Sequence, residues 1–92
     1  MSKLTPEQIK KRLAETPEWS ELNDAIQRTY QFKDFAASIR FVNSVAALAE
    51  EMDHHPDILV RYNKVTLTLS THDAGGITAK DFELAKKSDG AI

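Results

Sequence analysis

The residues of this sequence best suited to acid–base chemistry are its three histidines, His54, His55 and His72, which all fall in the second half of a 92-residue chain. Histidine is the usual proton carrier in catalysis because it titrates in the physiological range. The sequence has no cysteine, no serine or lysine set up as an activated nucleophile and no glycine-rich phosphate loop. The pattern favours an acid–base elimination or isomerisation without a bound cofactor.

A metal site is an alternative use of the same histidines, since imidazole nitrogens are common zinc ligands. Adjacent histidines such as His54 and His55 rarely direct both rings at one tetrahedral metal, and no His-x-x-x-His pair is present. A third interpretation is that the histidines are simply solvated near the end of a helix. We expect no metal and favour proton transfer, provided that folding brings the three rings together.

Acidic residues precede the first histidine pair. Glu50, Glu51 and Asp53 lie before His54 and His55, at the predicted end of a helix. These carboxylates and the negative end of the helix dipole favour a protonated imidazole, whereas a second imidazole at short range disfavours double protonation. Such a cluster can supply an acid and a base at the same pH.

A long amphipathic helix is predicted from Phe35 to about Asp53. Its apolar residues recur at steps of three and four, the period of a helix with one buried face. They include Phe35, Ile39, Val42, Ala46, Ala49 and Met52. Pro56 cannot continue the helix, and the residue before a proline avoids the helical region, so the helix ends beside the histidine pair.

Two strands, 57–62 and 65–71, are predicted after this helix because β-branched and aromatic residues dominate both. A two-residue turn at Asn63-Lys64 sets the register. The opposed pairs are then Tyr62 with Val65, Val60 with Leu67, Ile58 with Leu69, Asp57 with Ser70, and His55 with His72. Opposed Cβ atoms lie about 4.5–5.5 Å apart, so the hairpin is predicted to bring His55 and His72 together.

The N-terminal third of the chain predicts a helix and then a hairpin. Thr5 caps the helix and Pro17 ends it. Residues 19–22 and 25–32 then form two strands around a short turn. Trp19, the only tryptophan, is interpreted either as a partly buried anchor or as a wall of a ligand pocket.

The C-terminal end predicts a third helix. Thr78 at the N-cap and Asp81 at the third helical position form a capping box. Capping is one interpretation of Asp81, and a supporting role in the site is the other. Residues 88–92 are predicted to be a fraying tail.

Composition limits the classes of protein to which the chain can belong. Ninety-two residues, 41% hydrophobic and 28% charged, are typical of one globular domain with one core. A net charge of −2 argues against a nucleic-acid surface, which needs a basic excess. The N-terminus lacks the apolar region of a signal peptide, and no run approaches membrane-spanning length. We expect a soluble cytoplasmic protein.

The spacing of the candidate residues closely resembles the signature of the pterin-4a-carbinolamine dehydratases. That signature has a charged residue, three residues, His-His-Pro, an aromatic residue after a gap of five, a histidine after nine more and a closing aspartate. The matching positions are Glu50, His54-His55-Pro56, Tyr62, His72 and Asp81. Other segments that look like family sequence are Phe32-Lys33-Asp34-Phe35, Tyr62-Asn63-Lys64-Val65 and Leu69-Ser70-Thr71-His72. The resemblance covers nearly the whole chain.

This resemblance implies a single domain, residues 1–92, with an α+β fold in two layers. A four-stranded antiparallel sheet carries helices on one face, in the order ββαββα after an N-terminal helix. The implied reaction removes water from 4a-hydroxytetrahydropterin to give quinonoid dihydropterin, in the recycling of tetrahydrobiopterin that follows aromatic amino-acid hydroxylation.

Carried over residue by residue, the resemblance implies that the three histidines are catalytic. His54 is expected to be the acid, and His55 with His72 the base and the pterin-positioning groups. The residues expected to bind the pterin are Asp53, Pro56, Ser70, Thr71 and Asp73. The expected supporting residues are Glu50, Asp81 and Trp19. No metal and no cofactor is expected.

The family also implies a homodimer or a homotetramer, formed by joining sheets edge to edge and by packing long helices. Some vertebrate members serve as dimerisation cofactors of a homeodomain transcription factor. An interaction module of that kind is therefore the alternative function for this chain. Intact histidines at all three signature positions favour the enzyme.

Overall fold

A computed structural model describes residues 2–92 of the chain. It contains three helices and four strands, which confirms the predicted α+β fold. In chain order they are α1 (Pro6–Glu15), β1 (Ser20–Leu22), β2 (Ala25–Gln31), α2 (Phe35–Met52), β3 (Asp57–Arg61), β4 (Lys64–Leu69) and α3 (Ala79–Asp89), with a short 3₁₀ turn at His72–Ala74 before α3. None of the helices in residues 2–92 has the length and apolar composition that a membrane span needs.

The four strands form one antiparallel sheet in the order β1-β2-β4-β3. In β4, Val65, Leu67 and Leu69 are fully buried, whereas Thr66 and Thr68 between them are partly exposed. This alternation gives the sheet one face against the core and one towards solvent. The helices pack on the core face, where Phe41 of α2 and Phe82 of α3 join the buried cluster.

The ends of α2 are set by local chemistry. The Asp34 carboxylate accepts a hydrogen bond from the backbone N–H of Ala37 at 2.8 Å, which caps the first turn. The helix ends at Met52 because Asp53 adopts a left-handed conformation with φ 50°. Its predicted end beside the histidine pair is confirmed.

The predicted register of the β3–β4 hairpin is wrong by two residues. Val60 pairs with Val65 and not with Leu67, and the turn falls at Tyr62-Asn63. The chain reverses earlier because Asn63 is tied to the end of β2: its amide donates to the Phe32 carbonyl oxygen, and its own carbonyl oxygen accepts from the Phe32 N–H. A shift of two residues keeps every side chain on its predicted face.

The predicted pairing of His55 with His72 is also wrong as a ladder contact. β3 begins at Asp57 and β4 ends at Leu69, so both histidines lie beyond the paired residues. His72 instead starts the 3₁₀ turn, which an isolated bridge between Thr71 and Gly76 closes.

The C-terminal residues are not the predicted fraying tail. Helix α3 continues to Asp89, and Ser88 is fully buried. The Asp89 carboxylate accepts hydrogen bonds from Trp19 Nε1, from the Arg28 guanidinium at 2.8 Å and from the Tyr30 hydroxyl at 2.5 Å. These contacts fix the end of α3 against the first hairpin.

Candidate active site

A cleft of about 380 Å³ lies where the end of α2, the end of β4 and the start of α3 meet. All three histidines line it. Its full lining is Asp53, His54, His55, Ser70, Thr71, His72, Asp73, Ala74 and Lys80. Folding therefore gathers the three imidazoles around one cleft, although His55 and His72 are not paired residues of the sheet.

The C-terminus of α2 directs His54 into this cleft. The left-handed Asp53 reverses the chain, and the His54 N–H donates back to the Ala49 carbonyl oxygen at 3.0 Å. This six-to-one hydrogen bond is typical of a Schellman-type helix end. Pro56 then starts the extended segment that leads into β3, so the two histidines lie in the bend between α2 and β3.

His54 is buried and bonded to a buried carboxylate. Only 9% of His54 is exposed, and its Nε2 lies 2.6 Å from Oδ1 of Asp81, which has no exposed surface. The other oxygen of that carboxylate, Oδ2, accepts from the Thr71 hydroxyl and from the Thr78 N–H, both at 2.9 Å. Asp81 therefore caps α3 with one oxygen and holds His54 with the other.

The hydrogen-bond directions in this network follow from the chemistry of its members. An ionised carboxylate only accepts, so His54 donates from Nε2 and Thr71 donates from its hydroxyl. Since the Thr71 hydrogen is committed to Asp81, the Thr78 hydroxyl must be the donor in its 2.7 Å contact with Thr71. Every acceptor and donor of the network has one defined role.

The second ring nitrogen of His54, Nδ1, is not engaged by Asp81. It forms no hydrogen bond with residues 2–92. Within those residues, Ser88 Oγ is the only buried polar side-chain atom that lacks a partner. Nδ1 of His54, which has no partner either, is therefore not completely buried, and it belongs to a side chain that lines the cleft.

His55 and His72 are exposed on the cleft wall. Nε2 of His55 lies 2.5 Å from Oε2 of Glu50, and both side chains are more than half exposed. That pair orients His55, although solvent screening makes such exposed contacts weak. His72 belongs to the 3₁₀ turn, which ends at Gly75 in a left-handed conformation with φ 74°.

Of the predicted pterin-binding residues, Asp53, Ser70, Thr71 and Asp73 line the cleft. The Ser70 hydroxyl donates to the Asp24 carbonyl oxygen at 2.8 Å, so its hydrogen is already engaged. Pro56 does not line the cleft but follows His55 directly.

The predicted supporting residues lie outside the lining. Glu50 and Asp81 each hold a histidine, whereas Trp19 is 3% exposed and packs edge-on against Tyr30 in the core. Two lining residues, Lys80 and Ala74, were not predicted from the sequence. The sequence does contain an indication for Lys80, because this residue lies in the first turn of a capped helix that begins shortly after His72.

A metal has no evident ligand set in this part of the molecule. Within residues 2–92, no group of three or more histidine, cysteine, aspartate or glutamate side chains is arranged to hold a metal ion.

Comparison with known proteins gives one consistent family. The sequence model described as Pterin 4 alpha carbinolamine dehydratase matches residues 2–91. A relative from Sulfolobus acidocaldarius that bears the family's name is 53% identical over 85 residues, covering 92% of this chain and 93% of its own. Another from Picosynechococcus is 51% identical over 88 residues, covering 96% of each chain.

Solved structures agree with this assignment. The crystal structure of a transcriptional coactivator/pterin dehydratase from Brucella melitensis has a TM-score of 0.95 and 34% identity, covering 98% of both chains. A pterin dehydratase-like protein identified as a RuBisCO assembly factor in the alpha-carboxysome has a TM-score of 0.65 and 23% identity, covering 79% of this chain and 84% of its own. At that identity the second likeness shows the shared fold alone.

Proposed function

The chain belongs to the pterin 4 alpha carbinolamine dehydratase family, and from this premise we propose that it is a hydro-lyase acting on 4a-hydroxytetrahydropterin. Water leaves and quinonoid dihydropterin forms, in the cytoplasmic recycling of tetrahydrobiopterin. The observation that carries the proposal is the cleft in which three imidazoles meet, one of them held by the buried Asp81. Its volume of about 380 Å³ lies in the range of small-molecule sites.

The proposed reaction needs one proton delivered and one removed. The bond between C4a and the hydroxyl oxygen breaks, and the oxygen takes a proton from an acid and leaves as water. A base removes the proton on N5, and the electrons of that N–H bond form the new double bond between N5 and C4a. No electron acceptor and no metal is required, which suits a site built from histidines.

His54 is the proposed acid. As an imidazolium it donates Nε2–H to Asp81 and keeps a second proton on Nδ1, the nitrogen that Asp81 leaves free on this cleft-lining side chain. The buried carboxylate stabilises this cation and holds the orientation of the ring throughout the transfer. The aspartate of a Ser-His-Asp triad does the same for its histidine. After Nδ1 gives its proton to the departing hydroxyl, the bond to Asp81 remains intact.

His55 and His72 are the proposed base and positioning groups. Both are exposed on the wall of the cleft, where a neutral imidazole can accept the N5 proton and pass it to solvent. The Glu50 carboxylate bonded to Nε2 of His55 holds the orientation of this ring. The pterin lies between these two rings and His54 in the proposed complex.

The carboxylates of Asp53 and Asp73 are the proposed partners of the pterin's amino group and ring N–H. A carboxylate offers two acceptor oxygens, which match two neighbouring N–H donors. Ser70 and Thr71 have their hydroxyl hydrogens committed within the protein, so they can offer the ligand only lone pairs. In the proposed complex these four residues therefore hold the pterin ring as hydrogen-bond acceptors.

The test is a dehydration assay on the 4a-carbinolamine with the wild type and with His54→Ala, His55→Ala and His72→Ala. We expect each variant to lose about 10²-fold or more of the catalysed rate, since a positioned proton-transfer group contributes that much. The exposed Lys10 on α1 provides a control, because Lys10→Ala changes charge at a residue outside the lining of the cleft. Full activity in all three histidine variants would remove the acid–base proposal.

A coactivator-type interaction module is the second candidate function. It is favoured by the description of the Brucella melitensis structure as a transcriptional coactivator/pterin dehydratase. A homodimer or homotetramer is proposed for either function. An absence of turnover in the wild type, together with tight binding of a helical partner, would favour the interaction module.

A further inference from the structure

Lys80 differs from every other lysine of the chain. It is partly buried and lines the cleft, whereas all the other lysines are exposed. The ammonium of lysine is a compact and strongly hydrated charge, and removing it from water costs free energy unless a partner compensates for the lost hydration. The place of Lys80 in the cleft therefore calls for a partner.

The protein itself does not supply that partner. Within residues 2–92, the Lys80 ammonium forms no ion pair, although the carboxylates of Asp53 and Asp73 line the same cleft. Two other lysines of α3, Lys86 and Lys87, each pair with a glutamate. The ammonium of Lys80 is thus available to a bound molecule.

Lys80 also lies where a cation opposes the helix dipole. It is the second residue of α3, and the N-terminal end of a helix carries partial positive charge. The rest of the helix follows the usual rule, with Asp81 in the first turn and Lys86 and Lys87 in the last turn. Functional sites are where natural proteins break such local rules, so this exception supports a role for Lys80 in the cleft.

The ligand of the proposed function needs a donor that most of the lining cannot give. One edge of a pterin presents the amino group on C2, the N–H of N3 and the carbonyl oxygen O4 in succession. Asp53 and Asp73 are the proposed acceptors for the two donors, whereas O4 requires a donor from the protein. The hydroxyl hydrogens of Ser70 and Thr71 are committed within the chain, so neither can serve O4.

Lys80 and the three histidines are the remaining side chains of the lining that can donate. In the proposed reaction the imidazoles transfer protons, while the ammonium of Lys80 has no part in that transfer and carries free N–H donors. We propose that Lys80 donates a hydrogen bond to O4 of the pterin and makes the site selective for 4-oxo over 4-amino pteridines. This inference rests on the proposed function and adds the group that recognises position 4 of the ring.

The neighbours of Lys80 suit this role. O4 is bonded to C4, which is the neighbour of C4a, the carbon that loses the hydroxyl. Asp81, the next residue of α3, holds the proposed acid His54 at 2.6 Å. Two consecutive residues of one helical turn then orient the acid and the carbonyl group beside the reacting carbon.

The first test separates binding from chemistry in the dehydration assay. Positive charge develops on C4a and N5 as water leaves, so an ammonium at O4 aids binding without favouring the transition state. Lys80→Met keeps the unbranched stem and removes the donors. We expect KM to rise about tenfold to a hundredfold, the effect of losing a hydrogen bond from a charged group, while kcat stays within about threefold.

Two further variants serve as controls in that assay. Lys80→Arg keeps a cation with N–H donors and should recover most of the lost affinity. Lys87→Met removes a charge from an exposed position on the same helix, outside the lining of the cleft, and should match the wild type.

The second test measures selectivity by calorimetry and needs no turnover. The ligands are 7,8-dihydropterin and 2,4-diamino-7,8-dihydropteridine, which differ at position 4, where an amino donor replaces the carbonyl acceptor. We expect the preference of the wild type for the 4-oxo ring, expressed as the ratio of the two Kd values, to fall about tenfold or more in Lys80→Met. Comparing two ligands on two proteins cancels any effect of the ligand that is common to both proteins.

An unchanged ratio of Kd values in Lys80→Met overturns the inference. A fall in kcat with an unchanged KM also overturns it, because the ammonium would then act in proton transfer. If the wild type neither dehydrates the carbinolamine nor binds 7,8-dihydropterin, the proposed function itself fails. If the wild type does both and Lys80→Met matches it, the proposed function stands and the role of Lys80 is removed.

Discussion

Nε2 of His54 lies 2.6 Å from Oδ1 of Asp81, a carboxylate with no exposed surface that also caps α3 through its other oxygen. The helix cap and the candidate acid therefore share one side chain. A buried charge is tolerated only when its hydrogen-bonding capacity is filled, and here Thr71, Thr78 and His54 fill it. Folding of α3 and orientation of the imidazole are thereby coupled.

Asp81→Asn should separate the two roles of this carboxylate. The amide oxygen can still cap α3, but its NH₂ group then faces His54 and requires an acceptor at Nε2. The imidazolium loses its stabilising charge, so we expect kcat to fall about 10²-fold or more while KM changes little. Imidazole nitrogen shifts measured by NMR should show His54 with its proton moved to Nδ1. An unchanged tautomer with unchanged kcat would contradict the positioning role.

Thr71→Val tests whether the threonine hydroxyl supports that carboxylate. The change preserves shape and removes the donor to Oδ2 of Asp81. We expect kcat to fall about tenfold and the free energy of unfolding to fall by about 1–3 kcal/mol. The matched control is Thr66→Val on the open face, where the hydroxyl contacts Thr29 at an exposed position. There we expect a change within about 0.5 kcal/mol and full activity.

The pH dependence of stability should report on Tyr30. Burial, followed by the hydrogen bond to Asp89, raises the pKa of the Tyr30 hydroxyl well above its usual value of 10.0. The folded chain therefore holds this proton more tightly than the unfolded chain does. The stabilisation is complete below about pH 10 and is lost as the pH rises above that value.

The matching experiment is urea unfolding of the wild type and of Tyr30→Phe from about pH 8 to about pH 11.5. Phenylalanine does not titrate, so the variant should lose less stability at alkaline pH than the wild type does. The lysines contribute equally to both proteins. Parallel curves would show that the hydroxyl titrates alike in the folded and unfolded states.

Ser88→Ala should stabilise the protein. The Ser88 hydroxyl is fully buried in α3 and has no partner within residues 2–92. Removing an unsatisfied buried polar group and adding a better helix former should raise the free energy of unfolding by up to about 1 kcal/mol. Thermal and urea unfolding measure the change. A decrease would mean that the hydroxyl has a hydrogen-bond partner in solution.

The parts of the fold that follow local rules could be predicted from the sequence. The period of α2, its end before Pro56 and the capping boxes at Thr5 and Thr78 all depend on residues a few positions apart. The gathering of the three histidines was also predictable, because it needs only that β3 and β4 form a hairpin between them. Each of these features is found in the structure.

The remaining features depend on contacts between distant residues. The hairpin register was missed because Asn63 bonds to Phe32, more than 30 positions earlier, and this contact fixes the turn. The end of α3 was missed because Ser88 and Asp89 look like helix terminators, while their burial and bonds to the first hairpin exist only in the folded chain. For the same reason, the bond between His54 and Asp81 could not be predicted, because it joins residues 27 positions apart that meet only in the folded chain.

The most direct test of proton transfer by His54 is stopped-flow measurement of carbinolamine decay with the purified wild type and with His54→Gln. Glutamine keeps a polar group near Asp81 and cannot deliver a proton at neutral pH. We predict rapid turnover by the wild type and a catalysed rate for the variant that is lower by about 10²-fold or more. Equal catalysed rates for the two proteins, or a wild-type rate no greater than spontaneous decay, would contradict proton transfer by His54 in this cleft.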